Sequence, residues 1–358
     1  MCLRLDIYFY YDKLVNMRKN TYSLAKIAEK LGVSKTAVSF VVNNTDGRRI
    51  SEKLEKRIRD FCAKVDYRPN IHAQRMNSSI VKNIGVLIGR EAGEDEQSPF
   101  REYNVANIVG GIAEEADKAG YQFGFRFYSE GMKKDSIFEW FKNREIDGLI
   151  YYGFGIPDEW NRIFSRENFK FVGIAIDPAH GIPCVNVDNY RASFKLAEYL
   201  IDKGHSKFIY LGGPPDAYPG SERYKGFRDA LRKGNIQFPE ENFFCAEFKW
   251  KNAETFVRER WIHGGLKEDA IVCANDTMAI GAISALTEAR IKIPEEIAVV
   301  GADNIALGGF ITPTLTTFDN LPFEQGRAAF KLLNHIITGC EAPGNVLLKT
   351  TLHLRDSG

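Results

Sequence analysis

Residues 24–43 read LAKIAEKLGVSKTAVSFVVN, two short amphipathic segments that are separated at Gly32 and restart at Ser34. Apolar side chains recur at helical spacing on both sides of the turn, so each segment has a face that can pack inward. Gly32 tolerates the positive φ that ends a helix, and Ser34 can cap the next one. This layout is typical of a DNA-binding helix-turn-helix, although a helical hairpin of any globular protein can show it.

The charge distribution favours the DNA-binding interpretation. Residues 17–82 contain 15 Lys and Arg but only 6 Asp and Glu, a net charge of +9, and residues 1–16 contain two of each sign. The whole chain has a net charge of +1, so residues 83–358 carry −8. A small basic domain on an acidic body is the arrangement expected when Lys and Arg contact DNA phosphates.

A third helix is predicted from Ser51 to about Val65, because Glu52 and Glu55 fall in its first turn, where the helix dipole favours acidic side chains. It would complete a three-helix domain over residues 17–67. Residues 1–16 are an extension that lacks the features of a secretory signal. We expect translation to begin at Met17, since MRKNTYSLAKIA leads directly into the first helix.

The rest of the chain alternates between strand-like and helix-like runs. The strand-like runs occupy residues 83–89, 121–127, 147–153, 169–176, 206–213, 269–275 and 297–303. Such alternation predicts parallel sheets with right-handed crossovers, whose ligands bind beyond the carboxyl ends of the strands. The length is generous for one sheet, so we expect two similar lobes with a cleft between them.

Other protein classes lack their signatures in this sequence. No apolar run is long enough to cross a membrane, and no GxGxxG, GxxxxGK[ST], GxSxG or HExxH motif announces an enzyme. The cysteines show no CxxC spacing, so neither a zinc site nor a disulfide framework is expected. We expect reduced thiols in a cytoplasmic protein. They are Cys2, Cys62, Cys184, Cys245, Cys273 and Cys340. A sugar-transport receptor would require export and would not need the basic head.

The motifs and their order resemble the LacI/GalR family of bacterial transcriptional repressors. The resemblance rests on YSLAKIAEKLGVSKTAVSFVVNN (22–44), VDYRPNIHAQRM (65–76), VNVDNYRASFKLAEYLIDKGHSKFIYLGGP (185–214), SERYKGFRDAL (221–231), ANDTMAIGAISALTEARIKIPEEIAVVGADN (274–304) and TPTLTTF (312–318). It implies a small all-α helix-turn-helix domain joined to an α/β periplasmic-binding-protein-like domain of two doubly wound lobes. It also implies a homodimer that binds palindromic operator DNA and a small effector, without a cofactor.

The resemblance sets the expected domain boundaries. The helix-turn-helix domain covers residues 17–67, the hinge helix and linker 68–82, and the effector-binding and dimerisation domain 83–358. One lobe is expected over residues 83–178 plus 320–345, and the other over 179–319 plus 346–358. No heptad tail follows the final strand-like segment, so we expect a dimer rather than a tetramer.

The DNA-contacting residues carried over from the family lie in the second helix, the following loop and the hinge. They are Ser34, Lys35, Thr36, Ser39, Phe40, Asn43, Asn70, Ala73 and Met76. Arg48 and Arg49 are added from the residues alone, because residues 46–49 look like a loop insertion, and we expect them to contact phosphates rather than bases. Phe40 departs from the family pattern of Arg or another polar group, and either contacts a thymine methyl or folds inward. Met76 is expected to wedge into the minor groove, the alternative being a linker residue that packs against the body.

The effector-contacting residues carried over from the family follow strands or open helices. They are Phe100, Asp188, Arg223, Trp250, Asn275, Asp303 and Asn320. Charged and amide groups can hold sugar hydroxyls, and aromatic faces can stack on sugar rings. The plainer alternatives are helix caps for Asp188 and Asn275, a turn for Asp303 and rim packing for Trp250.

These residues predict a regulator of carbohydrate-utilisation genes, most simply a repressor, whose operator affinity responds to a sugar or sugar derivative. A purine is the alternative effector, because an aromatic ring and an acid would serve a base as well. Effector binding is expected to change the angle between the lobes and so the separation of the two heads of the dimer. Whether the effector releases or promotes DNA binding stays open.

Overall fold

The computed structural model describes residues 22–42, 50–67, 80–89, 103–128, 135–153, 156, 158–262, 267–341 and 343–358. The chain divides into two compact units, Met1–Ile80 and Val81–Gly358. The first is called the head below and the second the body.

The head contains the predicted helices. They are α1 (Leu24–Leu31), α2 (Lys35–Val42) and α3 (Glu52–Lys64). Gly32 ends α1 with a φ of 62°, and the Ser34 hydroxyl accepts a hydrogen bond from Ala37 N at 3.1 Å. The turn therefore forms as its residues predict, and α3 ends within one residue of the expected limits.

The head has a small apolar core to which all three helices contribute. Its buried residues are Ile27, Ala28, Leu31, Val38, Val41 and Ile58. Arg57 Nη2 donates to the carbonyl of Leu31 at 2.6 Å and thereby satisfies an acceptor at the end of α1. Tyr22 and Phe61 add an edge-to-face contact at 5.8 Å. This packing buries Val38 and Val41 of α2 and leaves Lys35 and Thr36 exposed.

The body consists of alternating strands and helices. The strands are β1 (Asn83–Gly89), β2 (Gln122–Tyr128), β3 (Gly148–Tyr152), β4 (Phe171–Ile174), β5 (Cys184–Val187), β6 (Phe208–Gly212), β7 (Phe243–Cys245), β8 (Ala270–Cys273), β9 (Ala298–Val300), β10 (Thr317–Phe318), β11 (Asn345–Leu348) and β12 (Leu352–His353). The helices are α4 (Tyr103–Lys118), α5 (Asp135–Lys142), α6 (Asp158–Arg166), α7 (Asn189–Asp202), α8 (Tyr218–Lys233), α9 (Trp250–Ile262), α10 (Asp276–Glu288) and α11 (Pro322–Thr338).

Within the described residues the strands form two parallel sheets and one small antiparallel pair. The first sheet has the order β11-β5-β4-β3-β1-β2, the second has β7-β6-β8-β9, and β10 pairs with β12. We call the parts built on these sheets the first and second lobes. All seven predicted strands are present, each within a few residues of its expected ends.

The strands that the sequence did not predict are short or polar. β7 has three residues and β10 two, too few for a hydrophobic period. β5 reads CVNV, and its Asn186 interrupts the apolar run although the residue is buried.

The lobe boundaries differ from the expected ones. β5 pairs with β4 and with β11, so residues 184–187 and 345–348 both belong to the first sheet. The expectation that residues 179–319 and 346–358 lie in the second lobe is therefore wrong at these strands. All four residues of β5 are buried, as a strand inside a parallel sheet must be.

Glycines let helices approach closely in both lobes. A Cβ on Gly226 of α8 would lie 2.2 Å from the carbonyl oxygen of Tyr190 on α7. A Cβ on Gly111 of α4 would lie 2.0 Å from the carbonyl oxygen of Phe323 on α11. Only glycine permits these contacts, and the first of them places α8 directly against the start of α7.

Candidate functional site

A buried arginine connects several segments at the carboxyl end of the second sheet. Arg223 is 4% exposed, and its Nε donates to Asn189 Oδ1 at 2.7 Å. Its Nη1 donates to the carbonyl oxygen of Ala274, and its Nη2 donates to Asp303 Oδ1 at 3.0 Å and Asn320 Oδ1 at 3.3 Å. We call these five residues the Arg223 network. It brings together three of the predicted effector residues, Arg223, Asp303 and Asn320.

Asp303 holds its position with an unusual backbone conformation. Its φ is 122°, a region that costs an L-residue on the order of 1–3 kcal/mol. Its N–H donates to the carbonyl of Phe318 at 2.9 Å, which ties the segment after β9 to β10. Burial raises the pKa of the Asp303 carboxyl, and the neighbouring Arg223 guanidinium opposes that rise.

A second carboxylate, Asp276, forms hydrogen bonds that hold the segment after Asp303. Asp276 is 0% exposed, and it accepts hydrogen bonds from Ile305 N at 2.9 Å and from Thr317 Oγ1 at 2.5 Å. It therefore fixes both the segment after β9 and strand β10. Burial raises the pKa of Asp276 to about 7, and the nearby Asp303 charge adds to the rise.

The Arg223 network also reaches the first lobe. Asn320 Nδ2 donates to Asn104 Oδ1 on α4 at 3.1 Å, although the two residues lie 216 positions apart in the sequence. Gln325 Nε2 donates to the Asn320 carbonyl at 2.6 Å and orients that segment. Asn320 itself lies in the crossover between β10 and α11, but the Asn104 side chain also hydrogen-bonds the Asp303 carboxyl of the second lobe. The two lobes thus meet at Asn104, beside the buried arginine.

The carboxyl end of the first sheet is aromatic. Trp160 is fully buried, and its ring centroid lies 5.0 Å from that of Tyr128 and 5.8 Å from that of Tyr151. Burial raises the pKa of the Tyr151 phenol well above its usual value. Trp160 Nε1 and Asn186 Oδ1 are buried without a hydrogen-bond partner in the described part of the chain.

Two other predicted effector residues cap helices. Asn275 Oδ1 accepts a hydrogen bond from Met278 N at 2.8 Å, and its Nδ2 donates to the Phe248 carbonyl at 3.1 Å. Asp188 Oδ1 accepts a hydrogen bond from Arg191 N at 3.1 Å at the start of α7. The capping interpretation therefore describes both side chains in the structure.

The remaining predicted effector residues are not part of the Arg223 network. Trp250 begins α9 with 54% of its surface exposed, and Lys251 Nζ lies 5.3 Å from its ring centroid. Phe100 lies outside the described residues.

Four residues that the sequence analysis missed take part in the site: Asn104, Asn189, Asp276 and Gln325. Two of them had a signal, because Asn189 follows Asp188 and Asp276 follows Asn275 in the quoted motifs. Asn104 and Gln325 lie in no such motif.

The described part of the predicted DNA-binding surface lies on α2 and the turn before it. Lys35 and Thr36 are exposed, Ser39 and Phe40 are half-buried, and Ser34 caps the helix. The other predicted contact residues lie outside the described residues, namely Asn43, Arg48, Arg49, Asn70, Ala73 and Met76. Their contacts with DNA stay predictions.

The described residues contain no candidate metal site and no candidate membrane span. There, no group of three or more His, Cys, Asp or Glu side chains has an arrangement that could hold a metal ion. None of the helices described there combines the length and apolar character that a membrane span needs.

Known families and proteins match both units of the chain. Residues 23–70 match the family model for bacterial regulatory proteins of the lacI family, and residues 197–358 match that of a periplasmic binding protein-like domain. The ribose operon repressor of Escherichia coli strain K12 is 27% identical over 319 residues, 88% of this chain and 93% of that protein. The transcriptional repressor PurR of Mannheimia succiniciproducens is 26% identical over 316 residues, 87% of this chain and 90% of that protein.

A solved structure shares the fold. The lac repressor dimer bound to operator and an anti-inducer superposes with a TM-score of 0.82 at 22% identity, covering 94% of this chain and 99% of that one. The expected pairing of a helix-turn-helix head with a periplasmic-binding-protein-like body is thus confirmed.

Proposed function

Because the chain belongs to the LacI family of bacterial regulatory proteins, we propose that it represses transcription from an operator and responds to a small effector at the Arg223 network. The effector is a sugar or sugar derivative. The observation that carries this proposal is the hydrogen bond of Asn104 on α4 with the Asp303 carboxyl beside Arg223, since it joins both lobes at a buried polar site.

The network suits a polyhydroxy ligand. A carboxylate, a guanidinium and amide side chains converge at the carboxyl ends of parallel strands, where ligands of doubly wound sheets bind. Polar groups of this kind can pair with hydroxyls that donate and accept at once. Because the contact between Asp303 and Asn104 spans the lobes, a ligand there favours one lobe arrangement over another.

DNA binding is assigned to the head. Lys35 and Thr36 are exposed on α2, and the surrounding sequence is strongly basic. In a homodimer two such helices would reach successive major grooves about 34 Å apart, so the operator should be a palindrome. If Met76 wedges into the minor groove between them, Met76→Gly should weaken specific binding more than binding to random DNA.

The names of the relatives suggest effector candidates. One relative is named for a ribose operon, and another is a PurR repressor, which keeps a purine as the second candidate. A thermal-shift screen with D-ribose, D-glucose, D-galactose, cellobiose and hypoxanthine would separate the two classes. The DNA upstream of the gene would then be titrated in a gel-shift assay with and without each stabilising compound.

We expect a compound that raises the melting temperature to change the affinity for DNA by about 5- to 150-fold. A compound that stabilises the protein but leaves DNA affinity unchanged would argue against the coupling. Failure of the chain to prefer its upstream DNA over random DNA would argue against the operator.

A further inference from the structure

Carboxylates dominate the strand ends around the Arg223 network. An aspartate follows the carboxyl end of β4, β5, β6, β8 and β9 within a few residues. These aspartates are Asp177, Asp188, Asp216, Asp276 and Asp303. Ligands of parallel sheets meet this edge, so the charge of these groups bears on which ligands can bind.

Side chains already cap three of the helices that start at this end of the strands, whereas the start of α8 has no side-chain cap. Helix N-termini are ready anion sites because their N–H groups are unpaired. Here Asp188 caps α7, and Asp177 caps the short 3-10 helix Pro178–His180 by accepting from Ala179 N at 2.8 Å. Asn275 caps α10, and Asp276 occupies the first turn of that helix. An incoming anion would have to displace these groups.

The positive charge of Arg223 is also engaged. Its Nη2 forms an ion pair with Asp303 at 3.0 Å, and its other nitrogens donate to Asn189 and the Ala274 carbonyl. Asp276 brings a second buried carboxylate close to the same guanidinium, and the raised pKa of that carboxyl, about 7, reflects burial and the neighbouring charge of Asp303. The buried charge is thus already balanced or negative without a ligand.

Further carboxylates lie near the start of α8, the helix that carries Arg223. Burial raises the pKa of the Tyr218 phenol to about 12, and the charges of Glu222, Asp177 and Asp188 add to that rise. Tyr218 is five residues before Arg223 on the same helix, so these acidic groups and the network share one region of the body.

We infer that the effector carries no negative charge, so that it is a neutral or amino-substituted polyhydroxy compound and not a uronate or a sugar phosphate. This rests on the proposed function, because it concerns the same site. Like charges repel most strongly where water is excluded. A neutral ring keeps every hydrogen bond that the network offers without that repulsion.

Matched ligands test the inference by isothermal titration calorimetry on the full chain. The sets are D-glucose with D-glucosamine and D-glucuronate, D-galactose with D-galacturonate, D-ribose with D-ribose 5-phosphate, and hypoxanthine with inosine 5′-monophosphate. In any set that binds, we expect the uncharged or amino member to bind at least about 30-fold more tightly than the anion.

An anionic member that binds as tightly as its neutral partner would overturn the inference and leave the proposed sugar effector intact. Binding of hypoxanthine alone, without its nucleotide, would support the absence of a negative charge but would contradict a polyhydroxy effector and with it the proposed sugar. A complete lack of binding would overturn both.

A double variant tests whether the aspartates at the strand ends repel an anionic ligand. Asp177→Asn with Asp188→Asn removes two charges but keeps side chains that cap helices equally well. We expect the preference for the neutral member to shrink at least about fivefold, with an unchanged melting temperature as the check on folding. The control is Glu240→Gln with Glu241→Gln, which removes the same charge just before β7, at the opposite end of the second sheet. An equal preference in both double variants would overturn the assignment of the two aspartates.

Discussion

The carboxyl ends of the two sheets of the body differ in their chemistry. The second sheet ends in buried polar groups, with Arg223 hydrogen-bonded to Asp303, whereas the first ends in the packed rings of Trp160 and Tyr151. A polar edge orients a ligand through specific hydrogen bonds and depends on charge. An aromatic edge that is itself buried supplies a rigid wall whose stability comes from packing. The two lobes should therefore respond differently to substitution and to pH.

The largest effect is expected from Arg223→Met. This variant leaves the 7% exposed Asp303 carboxylate without its cation, which should lower the free energy of unfolding by about 3–5 kcal/mol. Urea denaturation of the full chain measures it. Adding Asp303→Asn should recover part of the loss, because the buried charge is then removed.

The control for this variant is Arg232→Met, in the same helix. Arg232 pairs with Asp229 at 2.6 Å, but its side chain is 73% exposed, so the loss should be at most about 1 kcal/mol. Equal losses for Arg223→Met and Arg232→Met would contradict the distinction between a buried and an exposed pair.

A pH titration of stability separates the two edges further. The pKa of Asp276 rises from 3.8 to about 7 on folding, so between these values the folded state binds a proton that the unfolded state does not. The stability contributed by this group is therefore present at low pH and is lost as pH rises through about 7. Relative to Asp276→Asn, the wild type should lose up to about 1.4 kcal/mol per pH unit between pH 5 and 7.

The measurement is urea denaturation at several pH values for both proteins. Parallel pH profiles for the wild type and Asp276→Asn would contradict the raised pKa. A constant difference in the free energy of unfolding between the two proteins is compatible with the prediction. Only the slope of that free energy with pH depends on the proton bound by Asp276.

The aromatic packing of the first lobe should respond without a pH dependence, also at the amino end of the sheet, where β4 begins at Phe171. Phe164 stacks on Phe171 with 4.2 Å between ring centroids, and both rings are buried. Phe164→Leu should cost about 1–1.5 kcal/mol by removing this ring contact while roughly keeping the volume. The loss measured by urea denaturation should be the same at pH 5 and pH 8; a loss that grows with pH would indicate a hidden coupling to the charged edge.

The smallest effect on stability is expected in the head, where the helices are held by an apolar core and a helix cap. Ser34→Ala removes the hydrogen bond to Ala37 N and should destabilise α2 by about 1 kcal/mol. Amide hydrogen exchange in α2 should accelerate accordingly. Ser51→Ala is the control, because Ser51 makes no capping hydrogen bond from its side chain. Faster exchange in α3 after Ser51→Ala, equal to the effect in α2, would contradict this difference.

The sequence predicted those parts of the molecule that depend on local patterns. Gly32 and Ser34 define a turn, because glycine adopts a positive φ and serine caps a helix. The long strands show apolar runs that are typical of buried strands. β7 and β10 were missed because two or three residues contain no period. β5 was placed in the wrong lobe because its partners are chosen by tertiary pairing, including with residues 345–348.

For the site, too, the sequence predicted the residues that lie in recognisable motifs and missed those that only tertiary contacts bring in. Arg223, Asp303 and Asn320 could be carried over from motifs, and the structure brings them together. The alternative roles of Asp188 and Asn275 could not be decided from sequence, since a cap and a ligand use the same side-chain oxygen. Asn104 could not be found at all, because its only signal is a contact across 216 positions.

The contact of Asn104 with Asn320 and with Asp303 is the proposed link between the two lobes, and a matched pair of variants tests this contact. Asn104→Ala removes it, whereas Asn107→Ala removes a local hydrogen bond to the Tyr103 carbonyl one turn along the same helix. Fluorescence anisotropy would measure binding of the upstream DNA with and without the sugar that gives the largest thermal shift. We predict that the sugar changes the DNA dissociation constant of the wild type and Asn107→Ala by about tenfold or more, and that of Asn104→Ala by less than about twofold. An undiminished response in Asn104→Ala would contradict the proposed coupling through this contact.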